Sequence, residues 1–381
     1  MRIACIGSST IPSRTANSIQ LMKVCQALAD LKHTLHVWVP SLDRKVGWPE
    51  LAEHYGLHQS FPIENLSGWS LLRRYDFAWR AVRNAESWQA DLIYVWPLQA
   101  AALASHRGIP TLLEMHDRPT GRLGPSLFRR FLAGRGARRM LVTTEALRHD
   151  LEAEYGPLPH GLVRLAPNGV DLEAYAQLGD PATMRARLEW PDQFTVGYTG
   201  QLYAGRGMDL MFALAEALPG MRFVWAGGEP AAIDHWRRRA AERSLDNLSI
   251  AGFVPQGRIP LIQAASDVLL MPYETRISVS SGGDTSQTAN PMKAFEYMAA
   301  GRPILSSDLP VIREILHKEW AVLLPPDDLQ AWRTALEALA ADPAERRRLG
   351  ERARVEVQAK SWQSRAERAL AGLQAGNDDL G

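Results

Sequence analysis

Short apolar runs alternate with longer segments whose apolar positions recur at helical spacing along nearly the whole chain. In the first half, Ile3–Ile6, Leu35–Val39, Asp91–Val95, Thr111–Met115, Met140–Thr144 and Leu162–Leu165 predict strands. Between them lie helical patterns at Ser18–Leu31, Leu98–His106 and Glu145–Tyr155. In the second half the strands Phe194–Tyr198, Arg222–Ala226, Leu248–Ala251, Asp267–Pro272, Pro303–Leu305 and Ala321–Leu324 alternate with helices at Asp209–Leu218, Ala231–Ser244, Pro260–Ala265, Met292–Ala300 and Leu329–Ala341. A charged helix at Arg346–Lys360 and a last helix from Ser361 to about Leu373 follow. Strands alternating with helices through both halves predict an α/β protein with two parallel sheets. Arg44–Asn84 has no clear period, with helix resuming near Leu71–Trp88, and Leu172–Leu188 reads as irregular or short helical structure.

A chain of 381 residues exceeds what one core usually serves, so two domains are expected. Their junction falls near Asp171, after the turn Pro167-Asn168-Gly169. The formal charge of +1 gives no overall attraction to nucleic acid. The two cysteines, Cys5 and Cys25, fall in apolar elements and read as core packing, which suits a reducing cytoplasm. No signal peptide is expected before the strand at Ile3–Ile6, and no apolar run reaches membrane-spanning length. Arg118–Arg139 holds seven arginines and no carboxylate, with Leu127, Phe128, Phe131 and Leu132 between them. That segment reads either as a solvated helix face or as a peripheral contact with an anionic membrane surface or lipid phosphate.

The strongest chemical signal is Asn290–Pro310. Gly301 and then Pro303 end a run of good helix formers, and Pro291 suits the first turn. Ser278–Thr288 before it is too rich in Gly, Ser and Thr for a regular element. A polar loop entering a helix N-terminus suits an anion, here a diphosphate, with Asn290, Pro291, Met292, Lys293 and Ala294 around the free N–H groups. Glu296, further along the same helix, suits two ribose hydroxyls. The loop Thr199–Gly207, with Gly200, Gly205 and Gly207 between a strand and a helix, again puts backbone close to phosphate. His116 follows a predicted parallel strand, where ligands bind, although a lone histidine is more often structural. The first strand-to-helix loop lacks the G-x-G-x-x-G pattern, so nothing there points to a dinucleotide.

FEYMAAGRPILSSDLP, from Phe295 to Pro310, resembles the sugar-nucleotide segment of the retaining family 4 glycosyltransferases, and a subset with Pro-x-Lys-x-Phe-Glu-Tyr-Met is closer still. Leu113–Asp117 and Asn168–Asp171 are similar to further family segments, and the likeness is most specific from Gly200 to Asp308. It implies the GT-B fold, two Rossmann-like domains facing across a cleft, with residues 1–171 on the acceptor side. Residues 172–355 then bind the sugar nucleotide, and residues 356–381 form a helix that crosses back. It implies that His116 contacts the donor sugar, that Ser13 and Asn17 lie on the acceptor side, and that the base meets strand-end loops at Gly228, Phe253 and Val254. Members commonly carry arginine where this chain has Gln201, and lysine where it has Arg206. Many also have a second glutamate where Thr288 stands, which leaves Gly283 and Asp284 as candidates for the donor sugar.

The resemblance implies a retaining hexosyltransferase in cell-surface polysaccharide or glycoconjugate synthesis. It would move a sugar from a nucleoside-diphosphate donor to a glycan, lipid-linked or small-molecule acceptor, with Arg206, His116 and Glu296 as catalytic residues. No cofactor and no metal are expected, and no protein nucleophile is assigned. The expected location is cytoplasmic, with the inner membrane face as a peripheral contact. Two rivals stand beside this reading: a sugar-nucleotide epimerase or hydrolase, disfavoured because no carboxylate partner for His116 is evident, and a sugar-nucleotide-binding protein without catalysis.

Overall fold

The computed structural model describes residues 1–41, 46–67, 75–277 and 285–373. The chain divides into two compact units, Met1–Asn168 with the segment from Trp362, and Gly169–Ser361.

The first unit is built on seven parallel strands among the described residues. They are β1 (Arg2–Ile6), β2 (Thr34–Pro40), β3 (Ile63–Leu66), β4 (Leu92–Val95), β5 (Thr111–Met115), β6 (Ala137–Val142) and β7 (Val163–Leu165), in the order β3-β2-β1-β4-β5-β6-β7. Crossover helices cover both faces, so a strand such as β5 is buried at every position. Ala4, Ile6, Ile93, Val95, Leu113 and Met140 pack on one face. The alternate residues, among them Cys5, Tyr94 and Glu114, point to the other.

The second unit holds six parallel strands among the described residues: β8 (Thr195–Thr199), β9 (Arg222–Ala226), β10 (Leu248–Gly252), β11 (Val268–Met271), β12 (Ile304–Ser307) and β13 (Val322–Leu324). Their order is β10-β9-β8-β11-β12-β13. Val268 and Leu270 join one core with Trp225 and Trp332, and their neighbours Leu269 and Met271 join another with Phe295 and Met298.

Helices at Leu98–His106, Glu145–Tyr155, Met292–Ala300 and Leu329–Ala341 form with the expected bounds. The stretch read as irregular instead contains a helix at Trp48–Tyr55 and strand β3, while the helix expected near Leu71–Trp88 forms at Tyr75–Ser87. β3 reads Ile-Glu-Asn-Leu at the sheet edge, and two polar residues in four erase the apolar signal. Pro291 takes the cap position with extended backbone, and the helix starts one residue later. The expected C-terminal crossing began at residue 356, yet Val357 is buried in the second unit's core and the change of unit comes at Trp362. From there the Trp362–Leu370 helix packs on the Ala16–Asp30 helix.

Candidate functional site

In the second unit the chain leaves β8 toward β9 and β10 and returns on the other side with β11, β12 and β13. At such a switch point the loops after the strand C-termini leave a crevice for ligands. Here they pack too tightly to admit side chains. A Cβ on Gly207 would collide with the Pro272 carbonyl, and one on Gly200 would stand 2.5 Å from Lys293 Nζ. Gly207 also has φ +69°, in the region that favours glycine. The loops are tied together by Gly200 N–H donating to Ala226 O at 2.8 Å and Gly227 N–H donating to Gly252 O at 2.6 Å.

Two cations and a carboxylate project from this frame. The Arg206 guanidinium lies over the rings of Tyr203 and Tyr273, at 5.1 and 4.9 Å, and donates to the Tyr203 hydroxyl at 3.3 Å. Lys293 Nζ lies 3.9 Å from the Tyr198 ring and 5.5 Å from that of Tyr273. That nitrogen is buried and has no hydrogen-bond acceptor among the described residues. Burial, then the Arg206 charge, push the Lys293 ammonium well below the ordinary lysine range, with Glu296 acting in the opposite sense. Among the described residues no side chain caps the start of the Met292–Ala300 helix, so first-turn N–H groups and the positive dipole end add to the same field.

Glu296 is held by two amides: Gln256 Nε2 donates to its Oε1 at 2.7 Å and Gln263 Nε2 to its Oε2 at 3.2 Å. Gln263 also donates to Thr199 Oγ1 at 2.9 Å and accepts from the Tyr175 hydroxyl at 2.7 Å. The carboxylate is thereby fixed to the end of β8, beside the glycine loop.

The structure therefore brings Gly200, Arg206, Lys293 and Glu296 together. Gln201 accepts a bond from the Tyr198 hydroxyl at 2.6 Å through its backbone carbonyl. Gly205 and Gly228 lie in the same loops with φ of +86° and +92°. Asn290, Pro291 and Met292 are half-buried at the helix start, and Ala294 is buried. Phe253 and Val254 are both half-buried after β10, and Val254 packs against the cluster of Val224, Ala226 and Ile262. Thr288 is buried, and Gly283 and Asp284 lie outside the described residues. Sequence reasoning missed Gln256, Gln263, Tyr198 and Tyr273. Gln263 did leave a trace, as an amide in the buried run Ile-Pro-Leu-Ile-Gln-Ala.

In the first unit, His116 Nε2 lies 2.8 Å from Glu114 Oε1. This corrects the expectation that no carboxylate accompanies His116. Glu114 is the one charged residue of the buried Thr-Leu-Leu-Glu-Met strand. It also accepts from Arg365 Nη2 at 2.6 Å and from Gln20 and Tyr94. Asn17 is exposed one turn before Gln20 on the same helix face. Ser13 N–H donates to Tyr55 Oη at 2.7 Å, and the Ser13 hydroxyl lies 2.8 Å from that of Thr15.

Burial alone would raise the Glu114 carboxyl, but the Arg365 charge and the His116 hydrogen bond hold it at about 2, against an ordinary 4.5. A folded value below the unfolded one contributes stability that is fully present above pH 4.5 and lost as pH falls through 2. The difference corresponds to about 3 kcal/mol. In urea unfolding, wild type is expected to exceed Glu114→Gln by an amount that is constant near neutrality and narrows below pH 4.5. A gap independent of pH would contradict this.

The basic segment is split by the fold. Arg139 is 5% exposed and donates to Ala369 O and Ala371 O at 2.8 and 2.7 Å, which anchors the C-terminal helix. Phe128 and Phe131 are core residues. Arg118 lies 3.8 Å from Asp150. Arg122, Arg129, Arg130, Arg135 and Arg138 are exposed, with Leu123 beside them at 54% exposure.

A family model described as Glycosyltransferase Family 4 matches residues 18–174, and one described as Glycosyl transferases group 1 matches residues 193–342. Together the two models support a GT-B glycosyltransferase family for the chain. The chain is 26% identical over 205 residues to alpha-galactosylglucosyldiacylglycerol synthase of Streptococcus pneumoniae, covering 52% of the chain and 50% of that protein. It is 28% identical over 261 residues to D-inositol 3-phosphate glycosyltransferase of Kineococcus radiotolerans, covering 61% and 56%. The match thus spans about half the length of each relative. Among solved structures, HepE of Anabaena in complex with UDP superimposes with a TM-score of 0.74 at 17% identity, covering 98% of this chain and 99% of that one. That likeness shows the GT-B fold. No helix among the described residues is long and apolar enough to cross a membrane.

Proposed function

We propose that this glycosyltransferase is a retaining hexosyltransferase that takes its sugar from a nucleoside-diphosphate donor. The observation that carries this reading is the buried Lys293 ammonium, which has no hydrogen-bond acceptor among the described residues, beside the Gly200 loop and the start of the Met292–Ala300 helix. A cation so placed is costly unless an anion completes it. A diphosphate has the charge to meet Lys293, Arg206 and the helix N–H groups together. HepE was solved with UDP, which supports a uridine donor as the first to try.

In the proposed reaction the bond from sugar C1 to the diphosphate oxygen breaks while the acceptor oxygen bonds C1 on the same face. The acceptor proton passes to the departing phosphate oxygen. The charge that builds on the diphosphate is met by Arg206, Lys293 and the helix start, with no metal and no covalent enzyme intermediate required. Glu296 accepts from the ribose hydroxyls, and His116 contacts the transferred sugar. The acceptor is a glycan, a lipid-linked sugar or a small molecule, in cell-surface polysaccharide or glycoconjugate synthesis. The exposed arginines around Leu123 are the proposed peripheral contact with an anionic membrane on the cytoplasmic side.

A hydrolase or epimerase reading draws on the Glu114–His116 pair. That carboxylate, however, already accepts from Gln20, Tyr94, His116 and Arg365, which leaves it poorly placed to shuttle protons. Thermal shift with UDP-, GDP- and ADP-sugars, followed by turnover assays with and without candidate acceptors, tests the proposal. Stabilisation by one donor class and turnover that depends on acceptor are expected. Donor breakdown at the same rate without acceptor, or binding without turnover, would contradict it.

A further inference from the structure

Glu114 is an ionised carboxylate in the middle of a buried parallel strand, a costly placement unless every oxygen is satisfied. Arg365 meets that demand from a position 251 residues further along the chain. It is 2% exposed, and besides Glu114 it donates to Tyr94 Oη at 3.2 Å, Ala166 O at 3.1 Å and Pro167 O at 2.9 Å. The Gln20 amide is fixed as well. Its Oε1 accepts from Trp96 Nε1 at 3.0 Å, so its Nε2 end is the one directed at Glu114.

These contacts determine the state of the His116 ring. An ionised carboxylate only accepts, so Nε2 of His116 must carry its hydrogen to meet Glu114. Nδ1 is then the ring nitrogen left for a ligand, and in the neutral ring it is an acceptor. We propose that Glu114 and Arg365 are positioning residues for His116, fixing its Nε2–H tautomer so that Nδ1 accepts a hydrogen bond from a hydroxyl of the transferred sugar. Arg365 acts by keeping Glu114 ionised. Were the arginine absent, the carboxylate would be neutralised by binding a proton or by drawing one onto His116, and either change removes the neutral Nδ1 acceptor. The C-terminal helix thus supplies a residue that governs His116 without touching it. This inference rests on the reading of His116 as a sugar contact.

The test uses the ¹⁵N-labelled full chain, with the His116 ring signals assigned by their absence in His116→Ala. Wild type is expected to show protonated Nε2 and bare Nδ1. Arg365→Met alone would leave a buried charge unpaired and endanger the fold, so the informative variant is Glu114→Gln/Arg365→Met, which removes both charges together. It is expected to keep UDP binding, to show mixed His116 tautomers, and to lose about tenfold in kcat/KM, the scale of one disordered hydrogen bond. Arg365→Lys, which keeps the charge, is expected to retain the tautomer and most of the turnover. An unchanged His116 spectrum in the folded double variant would overturn the positioning role. Normal turnover by His116→Ala would instead overturn the sugar-contact reading and, with it, the catalytic consequence, even where the tautomer shift is seen.

Discussion

Lys293→Met is expected to make the free chain more stable and the enzyme much worse. The ammonium is buried against Tyr198 and Tyr273 with no acceptor among the described residues, and Arg206 adds repulsion. Its folded-state pKa is depressed, so folding loses stability as pH falls below the ordinary lysine value, and near neutrality that cost is in force. Methionine fills similar volume with no charge to desolvate, an exchange that is often neutral or stabilising by about 1–4 kcal/mol. The melting temperature should rise by about 2–4 °C per kcal/mol for a unit of this size. The same substitution removes a donor from the proposed diphosphate site and should lower kcat/KM by on the order of 100-fold. Differential scanning fluorimetry and steady-state kinetics read the two effects. A lower melting temperature with unchanged kinetics would mean that Lys293 is a structural residue.

Arg206→Ala should reduce kcat/KM by about 100- to 1000-fold with the fold retained, because a preorganised cation is then missing where charge develops on the leaving group. Arg206→Lys should fall between, since it keeps the charge but loses the planar fork and much of the stacking on Tyr203 and Tyr273. Both variants are checked by the same kinetics, with circular dichroism for the fold. Near-normal turnover in the alanine variant would remove Arg206 from the site. Gln201 sharpens this expectation. Where relatives by resemblance hold a second loop cation, this chain has an amide, and Lys293 on the Met292–Ala300 helix is the proposed substitute, its Nζ 2.5 Å from where a Cβ on Gly200 would stand.

The alternation of strands and helices was legible because parallel strands buried on both faces are written as unbroken apolar runs. Edge strand β3, half polar and solvent-facing, was not. The glycine loop and the Met292–Ala300 helix could be found from local composition, since tightly packed strand-end loops demand residues without side chains. The supports of the site were harder to find. Gln256 and Gln263 bind Glu296 from 40 and 33 residues away, and nothing local marks them. Arg365 lies in a helix already rich in charge, so only tertiary structure distinguishes it from a solvated arginine. Glu114 was the readable exception. A carboxylate inside an apolar strand must have a partner, and that rule alone would have pointed to a buried cation. The run of arginines misled in part, because Arg139 is spent on the carbonyls that end the C-terminal helix.

The central claim is that the second unit grips a nucleoside diphosphate between the glycine loop and the Met292–Ala300 helix. A crystal structure of the chain grown with UDP tests it most directly. The account predicts the diphosphate within hydrogen-bond reach of Lys293 Nζ, the Arg206 guanidinium and the first N–H groups of that helix, with the ribose hydroxyls on Glu296. UDP bound elsewhere, with Lys293 Nζ still facing Tyr198 and Tyr273 and Glu296 still held by Gln256 and Gln263, would contradict it.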